Sequence, residues 1–294
     1  MRTRGRLRTA LAVVTAAVLA TGCGAFGGDT RDAGAGATRA AAKPAPVWNR
    51  SPDSIAAVGD SITRGFDACT VFSDCPEVSW ATGSDTGVDS LAVRLLGSTG
   101  AVERSWNYAV TGARMSDLPG QMAQAAARRP ELVTVMAGAN DACRASVSSM
   151  TSVASFREDF TEAMRTLRTA LPKTQVYVAS VPNLKRLWSQ GRTDPLGKQV
   201  WKLGICPSML GDADDLTDTA ALRRAKVQRR VEEYNAVLRE VCAKDRRCRF
   251  DGNAVFDYRF GTGQLSHWDW FHPSRSGQAR LAEIAYRTVT ARRP

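Results

Sequence analysis

Histidine is scarce in this 294-residue sequence: there are two, His267 and His272. Neither stands in a His-Glu-x-x-His pair, and the seven cysteines contain no Cys-x-x-Cys. The spacings of zinc proteases and zinc ribbons are therefore missing. Any proton transfer through an imidazole falls to one of these two residues. Acidic residues are in deficit, 29 against 40 Lys and Arg, for a formal charge of +11. Such a balance can attract anionic lipid, cell-wall polymer or nucleic acid. No nucleic-acid motif occurs, and no basic block with interleaved aromatics, so a nucleic-acid partner is not expected. The arginines are spread along helical stretches (Arg128, Arg129, Arg223, Arg224, Arg229, Arg230) and read as a solvated surface. There is no internal repeat. The N-terminal apolar stretch, Ala10 to Ala20, falls short of the roughly 20 residues of an ordinary membrane-spanning helix.

That stretch follows four arginines and precedes Thr21-Gly22-Cys23. A basic start, a short apolar run and small residues at the cut are the parts of a secretory signal, assigned to residues 1–22. Ala20-Thr21-Gly22-Cys23 resembles a lipobox, with Ala20 where leucine is usual and Leu19 one place early. Cys23 is thus a candidate lipidation site; ordinary cleavage and free secretion is the alternative. Either route leads outside the cell, to the medium or the envelope, with Cys23 the possible anchor to the membrane's outer face. Residues 23–50, rich in Ala, Gly, Thr and Arg and lacking apolar periodicity, read as a flexible tether. Residues 51–294, about 240 in all, are one domain with enough chain for a substantial core. The chain is expected to act as a monomer.

Six cysteines remain after Cys23, an even number in an exported chain, which suggests disulfides. Six allow 15 connectivities. Closeness in sequence favours Cys69–Cys75 and Cys242–Cys248, leaving Cys143–Cys206; buried free thiols are the alternative.

Strand-like and helix-like stretches alternate. Ser54 to Val58 reads as a buried strand and Leu132 to Ala137 as a central one; Gln175 to Val181 alternates and then becomes apolar, another strand, with further strands within Val102 to Val110 and Arg249 to Phe256. Helical spacing marks Val88 to Leu96, Asp117 to Arg129, Val153 to Leu171, Thr217 to Ala243 and Ser274 to Arg292, the last with Ser274 as N-cap. Asn183 to Asp215 reads as irregular, with Trp188 and Trp201 exposed. The alternation predicts a three-layer α/β/α domain on about five mostly parallel strands. In such sheets a site forms outside the carboxyl ends of the strands. Ser61, the 107–113 segment and Asn140 each follow a predicted strand.

Ser61, in Gly59-Asp60-Ser61, is weakly nucleophilic until a base takes its proton. His272 is the candidate base, because Asp269 three residues earlier can hold its other ring nitrogen. Alone, Gly-Asp-Ser would read as a helix N-cap; with Asp-x-x-His present the catalytic reading prevails. An oxyanion needs preorganised donors. The Ser61 and Gly112 backbone N–H groups and the Asn140 side-chain amide are the candidates. Asp60 is expected to bond nearby backbone and Asp141 to fix the Asn140 loop. His267 reads as a surface or packing residue. Leu187, Trp188, Trp201, Leu203 and Ile205 form either a wall of an acyl pocket or a satellite hydrophobic cluster.

These four blocks, Gly59-Asp60-Ser61-Ile62, Gly112, Gly138-Ala139-Asn140-Asp141 and Asp269-x-x-His272, together resemble the SGNH hydrolases, the GDSL-like esterases and lipases. The resemblance runs from about Ile55 to Ala285; isoleucine at 62, where the family name has leucine, is a departure. There is no Gly-x-Ser-x-Gly elbow. The resemblance implies a flavodoxin-like sheet, Ser61 as nucleophile, His272 as base and Asp269 as its partner. It further implies Ser61, Gly112 and Asn140 as oxyanion donors, and ester hydrolysis through an acyl-enzyme without metal or cofactor. The multi-cysteine, exported character looks closest to the actinobacterial secreted branch. The substrate implied is a small-molecule or lipid ester; O-acetyl groups of cell-wall or plant polysaccharide are the alternative. A non-catalytic envelope protein that binds glycan or lipid is the rival class.

Overall fold

The structure is a computed structural model and describes residues 47–292. The signal sequence, Cys23 and most of the tether lie outside these residues. Contacts with the domain begin ahead of Ser51. The Trp48 indole N–H donates to the Val289 carbonyl at 2.8 Å, and the Arg249 guanidinium lies 4.3 Å from the Trp48 ring centre.

Five strands form one sheet: β1 (Ile55–Gly59), β2 (Ser105–Asn107), β3 (Leu132–Met136), β4 (Gln175–Val178) and β5 (Cys248–Phe250). Every pairing is parallel and the order is β2-β1-β3-β4-β5. β1, β3 and β4 are buried along their whole length because helices cover both faces, and the polar Thr134 and Gln175 are buried with them.

The helices are α1 (Leu91–Glu103), α2 (Leu118–Ala127), α3 (Ala139–Ala142), α4 (Val153–Ala170), α5 (Leu184–Gly191), α6 (Pro195–Trp201), α7 (Pro207–Leu210), α8 (Asp218–Ala243), α9 (Ala254–Asp257) and α10 (Arg275–Thr290). α2, α4 and α8 pack side by side in one layer, and α1 packs on α10 in the other. This is the three-layer α/β/α fold expected. Ser274 caps α10 by accepting from the Gly277 N–H. No described helix is long and apolar enough to cross a membrane.

Two expectations need correction. α1 continues past Leu96 through a break at Gly97, so residues 102–103 are helical and β2 is only three residues long. The 183–215 segment holds α5, α6 and α7 rather than irregular chain. The Asn183 side chain accepts from the Arg186 N–H, and Asp194 accepts from the Leu196 and Gly197 N–H groups. These helices are short, so the caps of α5 and α6 are their main sequence signal, and α7 has only Pro207 in its first turn. Trp201 is buried at 3% exposure, and with Leu187 it belongs to the single main core, so the segment is not a satellite cluster.

Candidate active site

The strand order reverses between β1 and β3: the chain leaves β1 for β2 on one side, then returns to place β3 on the other. Crevices form at the carboxyl ends of strands at such a reversal. β1 runs into Gly59, whose φ is +150° and where a Cβ would lie 2.1 Å from the Met136 carbonyl of β3. Only glycine allows this approach. Gln121 of α2 pins the same residue, accepting from the Gly59 N–H at 2.7 Å and donating to its carbonyl at 3.0 Å. Asp60 is buried, and its Oδ1 accepts from the Ile62 N–H at 3.0 Å. Burial, with the Asp141 charge adding to it, pushes the Asp60 carboxyl up to about 7 against the pull of the Ile62 N–H and His272.

Ser61 is thereby held just past the carboxyl end of β1, at this reversal of strand order. Its Oγ lies 2.8 Å from His272 Nε2, and His272 Nδ1 lies 2.5 Å from Asp269 Oδ2. The other Asp269 oxygen accepts from the Phe271 and His272 N–H groups, each at 2.9 Å. Burial alone would raise the Asp269 carboxyl, but the charge and hydrogen bond of His272 outweigh it and hold the group below the usual range. Burial opposes protonation of His272, yet Asp269, helped by Asp67 and Asp60, raises it. With Nδ1–H given to Asp269, Nε2 presents a lone pair to the Ser61 hydroxyl, the arrangement that lets an imidazole take a serine proton.

The turn carrying Asp269 is braced from below. The Trp201 indole N–H donates to the Asp269 carbonyl at 2.7 Å, and the Ser266 N–H donates to the His272 carbonyl at 2.7 Å. α6 thus supports this turn through Trp201. His267 is exposed and packs at a tilt against Trp268, with ring centres 4.1 Å apart.

Gly112, past β2, has φ +84° and open space where a side chain would stand. Among the described residues, neither the Ser61 N–H nor the Gly112 N–H has an acceptor. The Asn140 amide, in the first turn of α3, donates to the Ala113 carbonyl at 2.9 Å. Asp141 beside it accepts from the Met115 N–H at 3.0 Å. The Gly112 and Asn140 loops are therefore tied together, and the bond expected to fix the Asn140 loop reaches the neighbouring loop. Disulfides join Cys69 to Cys75, Cys143 to Cys206 and Cys242 to Cys248. The second, with the Ser208 hydroxyl donating to the Ala142 carbonyl at 2.7 Å, fastens α7 to α3. Three disulfides suit an oxidising compartment.

Three further residues belong to this neighbourhood and are not evident in the motifs: Gln121, Trp201 and Asp67. Asp67 is buried, and one of its carboxylate oxygens, one of Asp269 and a His272 ring nitrogen lie within 4.8 Å of one another. These three could in principle ligate a metal, but Asp269 and His272 are already engaged with each other and with Ser61. Cys69, Cys75 and Glu77 also cluster, but the two sulfurs are spent in a disulfide.

Residues 55–285 match the family model described as GDSL-like Lipase/Acylhydrolase. The chain belongs to this family. It is accordingly a carboxylic ester hydrolase by class. No curated protein matches it. Among solved structures it is similar to a protein of Parabacteroides merdae assigned as a GDSL-like lipase, at 16% identity and TM-score 0.51, covering 84% of this chain and 100% of that one. It is more loosely similar to a Clostridium thermocellum family 3 carbohydrate esterase (14%, TM-score 0.46, covering 80% and 94%). A phospholipase A1 of Streptomyces albidoflavus is a comparable likeness (18%, TM-score 0.44, covering 81% and 99%). At these identities the first likeness bears on the fold of this GDSL-like hydrolase.

Proposed function

We propose that this GDSL-like hydrolase is an exported serine esterase acting through an acyl-enzyme. The observation that carries the reading is the unbroken hydrogen-bonded chain from Ser61 Oγ through His272 to Asp269. Ser61 attacks the ester carbonyl and His272 takes its proton. The Ser61 and Gly112 N–H groups and the Asn140 amide receive the oxyanion; the two free backbone donors support this assignment. His272 then protonates the departing alcohol, and water activated by the same ring releases the acid. The buried Asp269 holds the ring and stabilises the imidazolium.

The substrate we favour is an acyl ester with some chain length. Val71, Phe72 and Val110 expose apolar surface on two loops beside the site, and the Thr111 hydroxyl bonds Asp74 at 2.5 Å to join those loops. The basic N-terminus followed by an apolar run and Cys23 supports export, with lipid anchoring as its finer form. The three disulfides support the likeness to the secreted actinobacterial branch. The test is hydrolysis of p-nitrophenyl esters from acetyl to palmitoyl by wild type and Ser61→Ala. Loss of turnover in the variant with a medium or long optimum fits the proposal. An acetyl optimum would transfer the substrate reading to O-acetyl esters, and full activity in Ser61→Ala would overturn the mechanism.

A further inference from the structure

Asp67 lies six residues past Ser61, in the turn leading to the loop closed by Cys69–Cys75. Its position is fixed from several sides. Its N–H donates to the Ser73 carbonyl at 3.0 Å, its Oδ1 accepts from the Phe72 N–H, and its carbonyl accepts from the Ser266 hydroxyl at 2.7 Å. Ser266 itself also binds the His272 carbonyl through its N–H and the Trp268 N–H through its Oγ. The disulfide-closed loop and the turn carrying Asp269 and His272 are therefore locked together through Asp67 and Ser266.

Asp67 pays for this position in desolvation. It is 1% exposed, and its Oδ2 is buried with no hydrogen-bond donor. A buried carboxylate oxygen left unpaired is costly, so accepting from the Phe72 N–H alone would be served better by a neutral amide. What the carboxylate has nearby is the Asp269–His272 pair, within 4.8 Å.

We infer that Asp67 is a positioning residue for the reaction: a second carboxylate that acts on His272 together with Asp269 and strengthens its hold on the proton taken from Ser61. This rests on the reading of Ser61, His272 and Asp269 as the catalytic chain. A negative charge at this distance favours the imidazolium over neutral imidazole. It therefore favours the state His272 must reach when Ser61 attacks, and raises the pH at which the resting ring becomes free to act as base. The charged groups facing His272 are Asp269 from its own turn, Asp67 from the disulfide loop and Asp60 from the end of β1. Burial, the Asp269 charge and a hydrogen bond to the Asp269 carboxylate push the Asp67 carboxyl up to about 6, so the charge invoked here develops as pH rises through that value.

The test is Asp67→Asn in the full chain. Asparagine keeps the acceptor for the Phe72 N–H and removes the charge. With two histidines in the chain, ¹⁵N-imidazole NMR follows His272 directly, and His267→Ala assigns it. The His272 midpoint in Asp67→Asn is expected to fall by about 1–3 pH units, the range for one charge within 4–6 Å. The acid limb of kcat/KM on a p-nitrophenyl ester is expected to move down with it. A folded Asp67→Asn whose His272 titrates as in wild type would overturn the inference and leave Asp67 as loop scaffolding. Asp67→Ser, smaller and neutral, carries the same expectation should asparagine not fold. The NMR midpoint does not depend on turnover. A shifted midpoint with activity surviving in Ser61→Ala would therefore fault the catalytic reading, whereas an unshifted midpoint with a dead Ser61→Ala would fault this inference alone.

Discussion

Replacing Trp201 with phenylalanine removes one hydrogen-bond donor while keeping much of the ring. The donor is the indole N–H, 2.7 Å from the Asp269 carbonyl, and both residues are buried. Without it that carbonyl is a buried acceptor lacking its side-chain partner, a loss worth about 1–3 kcal/mol. The far edge of the indole packs on Gly191, where even a Cβ would come within 2.4 Å of Trp201 Cζ2, so phenylalanine preserves part of this contact. In a domain of this size each kcal/mol moves Tm by about 2–4 °C, which sets the expected fall at about 4–8 °C for a mid-range loss of 2 kcal/mol. Trp201→Ala adds a cavity and is expected to cost about 3–5 kcal/mol. Function should follow stability, because the carbonyl being released is that of Asp269 itself. Misplacement by about 1 Å can cost 10²-fold in rate, so kcat is expected to fall about 10–100-fold with KM little changed. Thermal unfolding followed by circular dichroism, paired with steady-state kinetics at 25 °C, reads both quantities. Wild-type Tm and kcat in Trp201→Phe would refute the idea that α6 supports the acid–base turn.

Asn140→Ala should lower kcat by about 10²–10³, the usual cost of one oxyanion donor, in a protein whose circular dichroism is unchanged; a loss confined to KM would argue for substrate binding instead. Asp60 tests the effect of burial: its carboxyl is raised to about 7, so its contribution to stability is present below the ordinary carboxylate range and is lost as pH rises towards 7. Asp60→Asn should thus have a Tm near wild type at pH 4 and above it at pH 8, by differential scanning fluorimetry, and a wild-type pH profile in the variant would contradict this. The Cys143–Cys206 disulfide closes a sequence separation of 63. Its loss should cost about 4 kcal/mol in denaturant unfolding, against about 2 kcal/mol for Cys69–Cys75 or Cys242–Cys248, whose separations are 6.

The sheet was legible in the sequence because β1, β3 and β4 are buried on both faces and so are predominantly apolar, interrupted only by Thr134 in β3 and by Gln175 and Tyr177 in β4. β2 and β5 are three residues each, too short to display a pattern, and their limits could not be read. The motif residues Ser61, Gly112, Asn140, Asp269 and His272 were legible for a different reason: each is a chemically specific residue at a strand end or on the last turn. The supports were not. Trp201 in a Gly- and Pro-rich stretch resembles a loop tryptophan, and only the tertiary fold shows the buried carbonyl its indole meets. Gln121 sits on an ordinary amphipathic helix, and its bond to Gly59 spans 62 residues. Asp67 carries no motif, because its neighbours Asp269 and Ser266 arrive from 199 residues or more away. Residues that bond across such separations leave no local pattern in the chain.

The account depends most on Ser61 being the atom that becomes acylated. Intact mass followed by peptide mapping, after treating the full chain with a fluorophosphonate, tests this without knowledge of the substrate. One adduct per chain, on the peptide containing Ser61 and absent from Ser61→Ala, is predicted, with labelling slowed in His272→Ala. An adduct elsewhere, or equal labelling of Ser61→Ala, would contradict it.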